Sequence, residues 1–314
     1  MILDFSFAAL AKTIRRGADH SGQLGNRQQN SAAMSDRVIA LALAVWVYAA
    51  IAVAPARADN GNPTSQAQSD LVNQANAPIS SVFQVRLQDA YAPAFQGRLH
   101  GQGNFFSIAI TMPLPEYRLL PLPQFSLLTI PVAATLPLPQ GELTAFGDVR
   151  FVDLAVIDAG HRMLFGVGPT FVFPTATTKK TGQGKWQAGP AAAGAFAPGK
   201  WLLGVFAQNP ISFSGDATRP AANALILQPF VSYQLGGGWF VRSEPQFIFD
   251  WETGKYLLPL DFGVGRVFKI GPQIVNCFVE PAWNMSHDGP APRYAITFGF
   301  ALLYPDFWHQ LTAR

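Results

Sequence analysis

Ser286, His287 and Asp288 stand side by side and carry the three side-chain types of a hydrolytic triad. Adjacent residues on an extended chain point in different directions, whereas a triad is built by side chains converging in space. The adjacency argues against catalysis, and the stretch reads as a polar loop. His100, His161 and His309 are scattered, without the H-x₃-H spacing of a zinc site. Gly263-Val264-Gly265 is not followed by the helix that a dinucleotide-binding loop needs, so its glycines read as sites where strand backbones pack closely. Cys277 is the only cysteine and can form neither an internal disulfide nor a multi-cysteine metal site. It lies between Val275 and Val279 on an apolar phase and reads as a small lipid-facing or packed residue. No catalytic residue, metal ligand or cofactor is expected.

The chemistry that the residues do offer is a set of polar groups at alternate positions: Gln228, Gln234, Arg242, Glu244, Gln246, Asp250, Asp261, Asn276 and Glu280. Alternation puts them on one side of their strands, here taken as the inside of a barrel. They line a lumen either as a network that holds the wall or as groups that touch a passing solute. Buried charges need partners, so Arg242 and Glu244 are expected to pair with each other's neighbours across strands. Ile226, Phe230, Phe240 and Ile248 share the phase. A lumen mixing phenyl rings with amides and charges suits a semi-polar organic solute better than a wide, water-filled pore does.

The element that positions these groups is clearest from Asn223 to Trp251. Leu225, Leu227, Pro229, Val231, Tyr233 and Leu235 form a wholly apolar face, and the intervening face is mixed. After Gly236-Gly237-Gly238 the alternation resumes through Trp251. Runs of this length exceed the usual ~5–6 residues of a soluble strand and match the ~9–11 residues of a tilted transmembrane strand. Tyr233 and Trp239 at the turn and Trp251 at the far end fit the aromatic girdles of a membrane barrel. Strands are expected near 81–91, 104–112, 124–135, 146–157, 162–174, 186–197, 201–212, 223–235, 239–251, 256–268, 274–285 and 293–304. The fold class is therefore all-β, an antiparallel transmembrane β-barrel of about 12 strands.

Connections alternate in size. Residues 197–200, 236–238 and 269–273 are tight; 175–185, 214–222 and 284–292 are longer and polar. Short turns face the periplasm and long loops the exterior in such barrels. Arg266 falls on the apolar phase beside a tight turn, where its stem can stay in lipid and its charge reach the headgroups. Pro169, Pro190, Pro210, Pro229, Pro245, Pro259 and Pro281 put one proline on almost every strand from residue 169 on. Proline lacks the ladder donor, so these positions mark either a ring of bulges or a belt above the hydrocarbon.

The N-terminal region differs. Residues 1–58 hold six Lys/Arg and three Asp/Glu, and the remainder sixteen of each, so the net charge of +3 belongs to the leader. A neutral remainder gives no reason to invoke nucleic acid. Arg37, the apolar run 38–53, Pro55 and Ala56-Arg57-Ala58 form a secretory signal, with cleavage expected between Ala58 and Asp59 and Met34 as the start of translation. An uncleaved anchor helix is the alternative. Residues 59–103 are rich in Asn, Gln, Ala and Ser and read as a flexible polar segment with one strand or a piece tucked into the lumen. The barrel is expected over 104–304 with that strand added, and 305–314 is a tail after an aromatic last strand.

Residues 166–304 resemble a known family. The landmarks are GVGPTFVFPTAT (166–177), GKWQAGP (184–190), SGDATRP (214–220), LQPFVSYQL (227–235), GWF (238–240), LPLDFGVGRVFKIG (258–271) and GPAPRY (289–294). They resemble the outer-membrane proteins grouped with the MetA-pathway phenol-degradation proteins, members of which are often called transporters or, misleadingly, neuromedin U. Where that family often has S-x-P-x-Q-N-N, this chain has SSVFQVRLQD (80–89). The resemblance implies a bacterial outer-membrane barrel that passes small, including aromatic, molecules, and it implies no catalytic residues. Outer-membrane lipid and, during insertion, the barrel-assembly machinery are the implied partners. The alternatives are a structural envelope barrel with a plugged lumen, an outer-membrane lipid hydrolase and a soluble sandwich.

Overall fold

The computed structural model describes residues 65–77, 82–95, 101–114, 116, 122–138, 141–288 and 291–305; the expected signal, its cleavage point and nearly all of the C-terminal tail lie outside them. Among the described residues, one helix, α1 (Ser65–Asn76), precedes sixteen strand segments. They are β1 (Phe83–Phe95), β2 (Gly103–Leu114), β3 (Gln124–Leu138), β4 (Gly141–Ala145), β5 (Val149–Gly160), β6 (Met163–Phe173), β7 (Lys185–Phe196) and β8 (Trp201–Gln208). Then follow β9 (Ile211–Gly215), β10 (Ala224–Gly236), β11 (Trp239–Ser243), β12 (Phe247–Asp250), β13 (Tyr256–Asp261), β14 (Gly263–Ile270), β15 (Gln273–His287) and β16 (Pro292–Tyr304).

The segments make a closed antiparallel barrel of 12 strands, because β4–β5, β8–β9, β11–β12 and β13–β14 are each one strand with a break. β16 pairs back onto β1, from Phe83↔Tyr304 to Phe95↔Pro292. Closure leaves no unpaired edge, the condition for a sheet in hydrocarbon. The strands coincide with those expected from alternation, and β1 supplies the twelfth. Two differences matter. The fourth strand begins earlier, at Gly141, and breaks at 146–148; β15 runs on to His287, so Ser286 and His287 belong to a strand and not to a loop.

Alternation also sets the two faces. Along β10 and β11, Ile226, Phe230, Ser232, Gln234, Phe240 and Arg242 are buried inside, while Leu235 and Trp239 are exposed outside. The outer face carries further exposed apolar side chains, among them Val167, Val205, Leu260, Val264 and Trp283. Near the tight turns, Trp201 packs on Tyr233 at 4.6 Å between ring centroids, and the Arg266 guanidinium lies over Trp239 while donating to Gly237 O. Toward the long loops, Phe151, Phe171, Phe173 and Trp186 form a ring-to-ring row.

The prolines divide. Strands break at Pro210 and Pro245, and the β13–β15 register shifts beside Pro259. Another shift falls between Phe106 and Ser107, where Ser107 pairs with Pro131. Pro169, Pro190, Pro229 and Pro281 lie inside continuous strands. Bulges therefore occur at some members of the belt and not around a full ring. At Pro245 the ladder between the ninth and tenth strands is interrupted: β11 pairs β14 only up to Arg242↔Gly263, and β12 pairs β13 only at Ile248↔Leu257 and Phe249↔Tyr256.

The tight turns need left-handed backbone. Glycine provides it at Gly199, Gly237, Gly238 and Gly271, but the β5–β6 turn uses His161 (φ 52°) and Arg162 (φ 64°). Left-handed backbone costs an L-residue roughly 1–2 kcal/mol, and two-residue hairpins favour Asn-Gly for that reason. The double variant His161→Asn, Arg162→Gly is expected to raise unfolding stability by about 1 kcal/mol. A urea midpoint that is unchanged or lower counts against this account of the turn.

Candidate functional site

The inner phase of the wall is polar, and it receives α1. Val72, Ala75 and Asn76 of the helix are almost completely buried. Their apolar partners are inward residues near the tight turns: Phe240, Val267, Ile274, Phe278, Ala301 and Leu303. The polar face of the helix is bonded to the wall at the same height. Gln234 Nε2 donates to Asn73 Oδ1 at 2.6 Å, and Arg242 Nη1 reaches Asn76 Oδ1 at 3.5 Å. Ala75 O, a carbonyl of the last helical turn, accepts from Arg86 at 3.2 Å and from Asn276 at 3.3 Å. Such carbonyls have no partner within the helix and carry the negative end of its dipole, so a guanidinium and an amide are suited to them.

Arg242 is the centre of this end of the lumen. It donates to Glu280 Oε2 through Nε (2.8 Å) and Nη2 (2.5 Å), pairs with Glu244 at 3.3 Å, and lies 3.6 Å from the Phe278 ring centroid. A charge buried to this degree is tolerable only with partners of this quality. Three inward phenyl rings press their far ends against glycines on the next strand: Phe230 on Gly204, Phe240 on Gly265 and Phe278 on Gly299. A Cβ at any of the three would overlap the ring. Gly265 thus makes room for an aromatic ring as well as for close backbones.

The polar residues expected from sequence divide by height. Gln234, Arg242, Asn276 and Glu280 touch α1 or one another, and Glu244 joins through Arg242. Asp261 does a different task. Its Oδ1 accepts from Ser243 Oγ (2.9 Å) and from Glu244 N (2.8 Å), which satisfies a backbone amide in the interrupted ladder beside Pro245. Asp250 is at a strand end, where it accepts from Glu252 N and Thr253 N and caps the turn. Gln228 and Gln246 lie elsewhere, in a cavity on the long-loop side. Ser286 Oγ bonds the Tyr256 hydroxyl at 3.3 Å.

That cavity, of about 80 Å³, is roofed by Thr181, Gly182 and Gln183 of the β6–β7 loop. Its walls include Phe105, Thr129, Asp148, Arg150, Phe206, Gln208, Gln228 and Gln246. The loop is held down from two sides. Asp148 accepts Ala176 N on Oδ1 (3.0 Å) and Gln183 N on Oδ2 (2.6 Å). Arg219, from the next outer loop, donates to Lys179 O and Gly182 O. Lys179 pairs with Asp216 at 3.5 Å. Hydrogen bonds from the hydroxyl and amide of Thr218 hold the Asp216 carboxyl down to about 2.

A closed 12-stranded wall, a helix in one end of the lumen and a folded loop over the other are now in place. At the level of fold the barrel matches an outer membrane channel from Pseudomonas putida F1, with a TM-score of 0.52, 10% identity, and coverage of 71% of this chain and 94% of that one. The two share a closed β-barrel fold. The NanC porin is a weaker likeness, with a TM-score of 0.44, 10% identity, and coverage of 71% and 98%. No family model matches the sequence, and no curated protein matches it.

Sequence reasoning on this barrel missed Arg86, Asn73 and Asn76, and it missed Asp148, Arg150 and Gln208. Arg86 and Arg150 sit on the inner phase of their strands, so extending the alternation argument to β1 and β5 would have found them.

Two consequences can be measured. Arg242→Ala leaves Glu280 and Glu244 buried without their cation and should cost about 3–5 kcal/mol in urea unfolding. Adding Glu280→Ala should recover part of that loss, and additive losses would show that the pair is not coupled. Gly299→Ala should cost about 1–3 kcal/mol by displacing Phe278 from Arg242. A neutral result would mean that the ring is free to move aside.

Proposed function

We propose that this chain is a passive outer-membrane channel for small organic molecules, aromatic ones included. The observation that carries the reading is the lumen cavity, where phenyl rings and amide side chains share one wall under a folded outer loop. A wide aqueous pore has no use for such rings, and a purely structural interior has no use for a cavity among amides. The exposed apolar outer face supports residence in lipid, and the fold supports the bacterial outer membrane, reached through the expected signal and the barrel-assembly machinery. The resemblance to the phenol-degradation group points the same way and adds the aromatic class of solute.

A second reading has its own support. The helix in the lumen is bonded by Gln234, Arg242, Arg86 and Asn276, as a plug would be. On that reading the barrel is an envelope component that passes nothing. Planar-bilayer recording of the full chain separates the two. The channel reading expects small single-channel steps, and expects Asn73→Ala with Asn76→Ala, which removes two of the helix's bonds, to enlarge them several-fold. Liposome swelling should be faster with benzyl alcohol than with a disaccharide. A correctly folded barrel that conducts in neither form would leave the structural reading.

A further inference from the structure

Arg266 stands on the lipid-facing phase of β14, in step with the exposed Val264 and Ile270 and close to the tight turns. Two contacts fix its guanidinium. It lies 5.4 Å from the centroid of the Trp239 ring, its partner across the β11–β14 ladder. Its Nε donates to Gly237 O at 3.3 Å. Both Nη groups are left without a partner among the described residues.

The surroundings hold no counter-charge. Among the described residues, the tight turns 197–200, 236–238 and 271–272 and the outward side chains beside them include no carboxylate. They include a second cation, Lys200, whose carbonyl accepts Gln234 N at 2.9 Å. Gln234 pairs with Phe240 and Phe240 with Gly265, so Lys200 is three ladder steps from the Arg266 strand. At ~4.8 Å per step that is about 14 Å, a gap that two long side chains can narrow from both ends. The floor between them is aromatic: Trp201 packs on Tyr233, and Trp239 is exposed with Leu235 beside it.

A cation on a lipid-facing wall needs an anion to answer it. The fixed fork of a guanidinium matches the oxygens of a phosphate. Its height suits one, because the stem stays against the wall while the charge reaches the headgroups. Aromatic side chains prefer the same interfacial level. A zwitterionic headgroup would bring its own cation, which finds no carboxylate here. An anionic headgroup brings the phosphate alone. Tight turns of such barrels lie on the periplasmic side, so the leaflet is the inner one.

We propose that the tight-turn rim from β8 to β14 binds an anionic phospholipid of the inner leaflet, with Arg266 receiving the phosphate over Trp239 and Lys200 adding to the charge. The proposal uses only the residence of the barrel in a membrane and stands whether or not the lumen conducts.

Native mass spectrometry of the full chain in detergent tests it, with phosphatidylglycerol and phosphatidylcholine of the same acyl chains added in equal amounts. The first lipid bound is expected to be phosphatidylglycerol by about fivefold or more, the factor that one cation near a headgroup supplies. Arg266→Gln should lower that ratio by about fivefold. Arg266→Lys should keep part of it, because an ammonium lacks the fork. Lys180→Gln, on the long-loop side, should leave it unchanged. Circular dichroism of each variant shows whether the barrel has formed. If Arg266→Gln does not fold, the salt dependence of the unaltered chain is read in its place, and the ratio should fall severalfold between about 0.05 M and about 0.5 M ammonium acetate. Equal binding of the two lipids, an unchanged ratio in the folded Arg266→Gln variant, an equal loss in Lys180→Gln, or a ratio indifferent to salt overturns the site.

Discussion

In hydrocarbon every backbone amide must find its partner within the protein, and the rest of this molecule follows from that constraint. The pairing of β16 with β1 meets it for the wall as a whole. Closure then divides the side chains by parity. One phase must satisfy lipid and the other a confined interior, which is why Leu235 and Trp239 face out while Gln234 and Arg242, next to them in sequence or across the hairpin, face in. The constraint is also visible where the ladder fails. At Pro245 the wall cannot pair normally, and Asp261 replaces a ladder acceptor with its own carboxylate at Glu244 N. An acidic residue that resembles a lumen ligand is there a repair to the backbone.

The interior has the opposite problem, a surplus of polar groups in a small space. Arg242 resolves much of it by answering Glu280 and Glu244 together and resting on Phe278. That packing depends on Gly299, which lets the ring lie against the wall. Charge, ring and glycine form one unit across strands, so loss of any member disturbs the other two. Toward the long loops Asp148 has a comparable position. It ties a loop to the wall through backbone amides, and a cavity remains below that loop.

The barrel was legible in the sequence because its signal is a local period of two, repeated over strand after strand. The prolines were legible as a puzzle only, since a strand with proline can break, as at Pro210, or continue, as at Pro229. The helix was not legible. SQAQSDLVNQAN has few apolar residues and reads as flexible polar chain when a helix is expected to bury an apolar stripe. Inside a polar lumen that expectation reverses, and Asn73 and Asn76 are buried because Gln234 and Arg242 await them. The site was legible by phase and not by height. Alternation placed Gln228, Gln234 and Asp261 on one side, but only pairing registers could separate a cavity wall from a helix clamp and from a ladder repair.

The way α1 is held bears on the proposed channel, because the helix fills part of the lumen. Its apolar contribution is small, chiefly Leu71, Val72 and Ala75 against the wall. The rest of its described attachment is hydrogen bonding to Asn73, Ala75 and Asn76. The two amide bonds contribute about 0.5–1.5 kcal/mol each in net terms and the two from arginines about 1.5–3 kcal/mol, because water replaces them when they open. The wall, by contrast, cannot exchange its ladder for water while it stands in lipid. The molecule therefore combines a shell that must stay closed with a contents that water can release, and the difference between the two lies in the solvent each one faces.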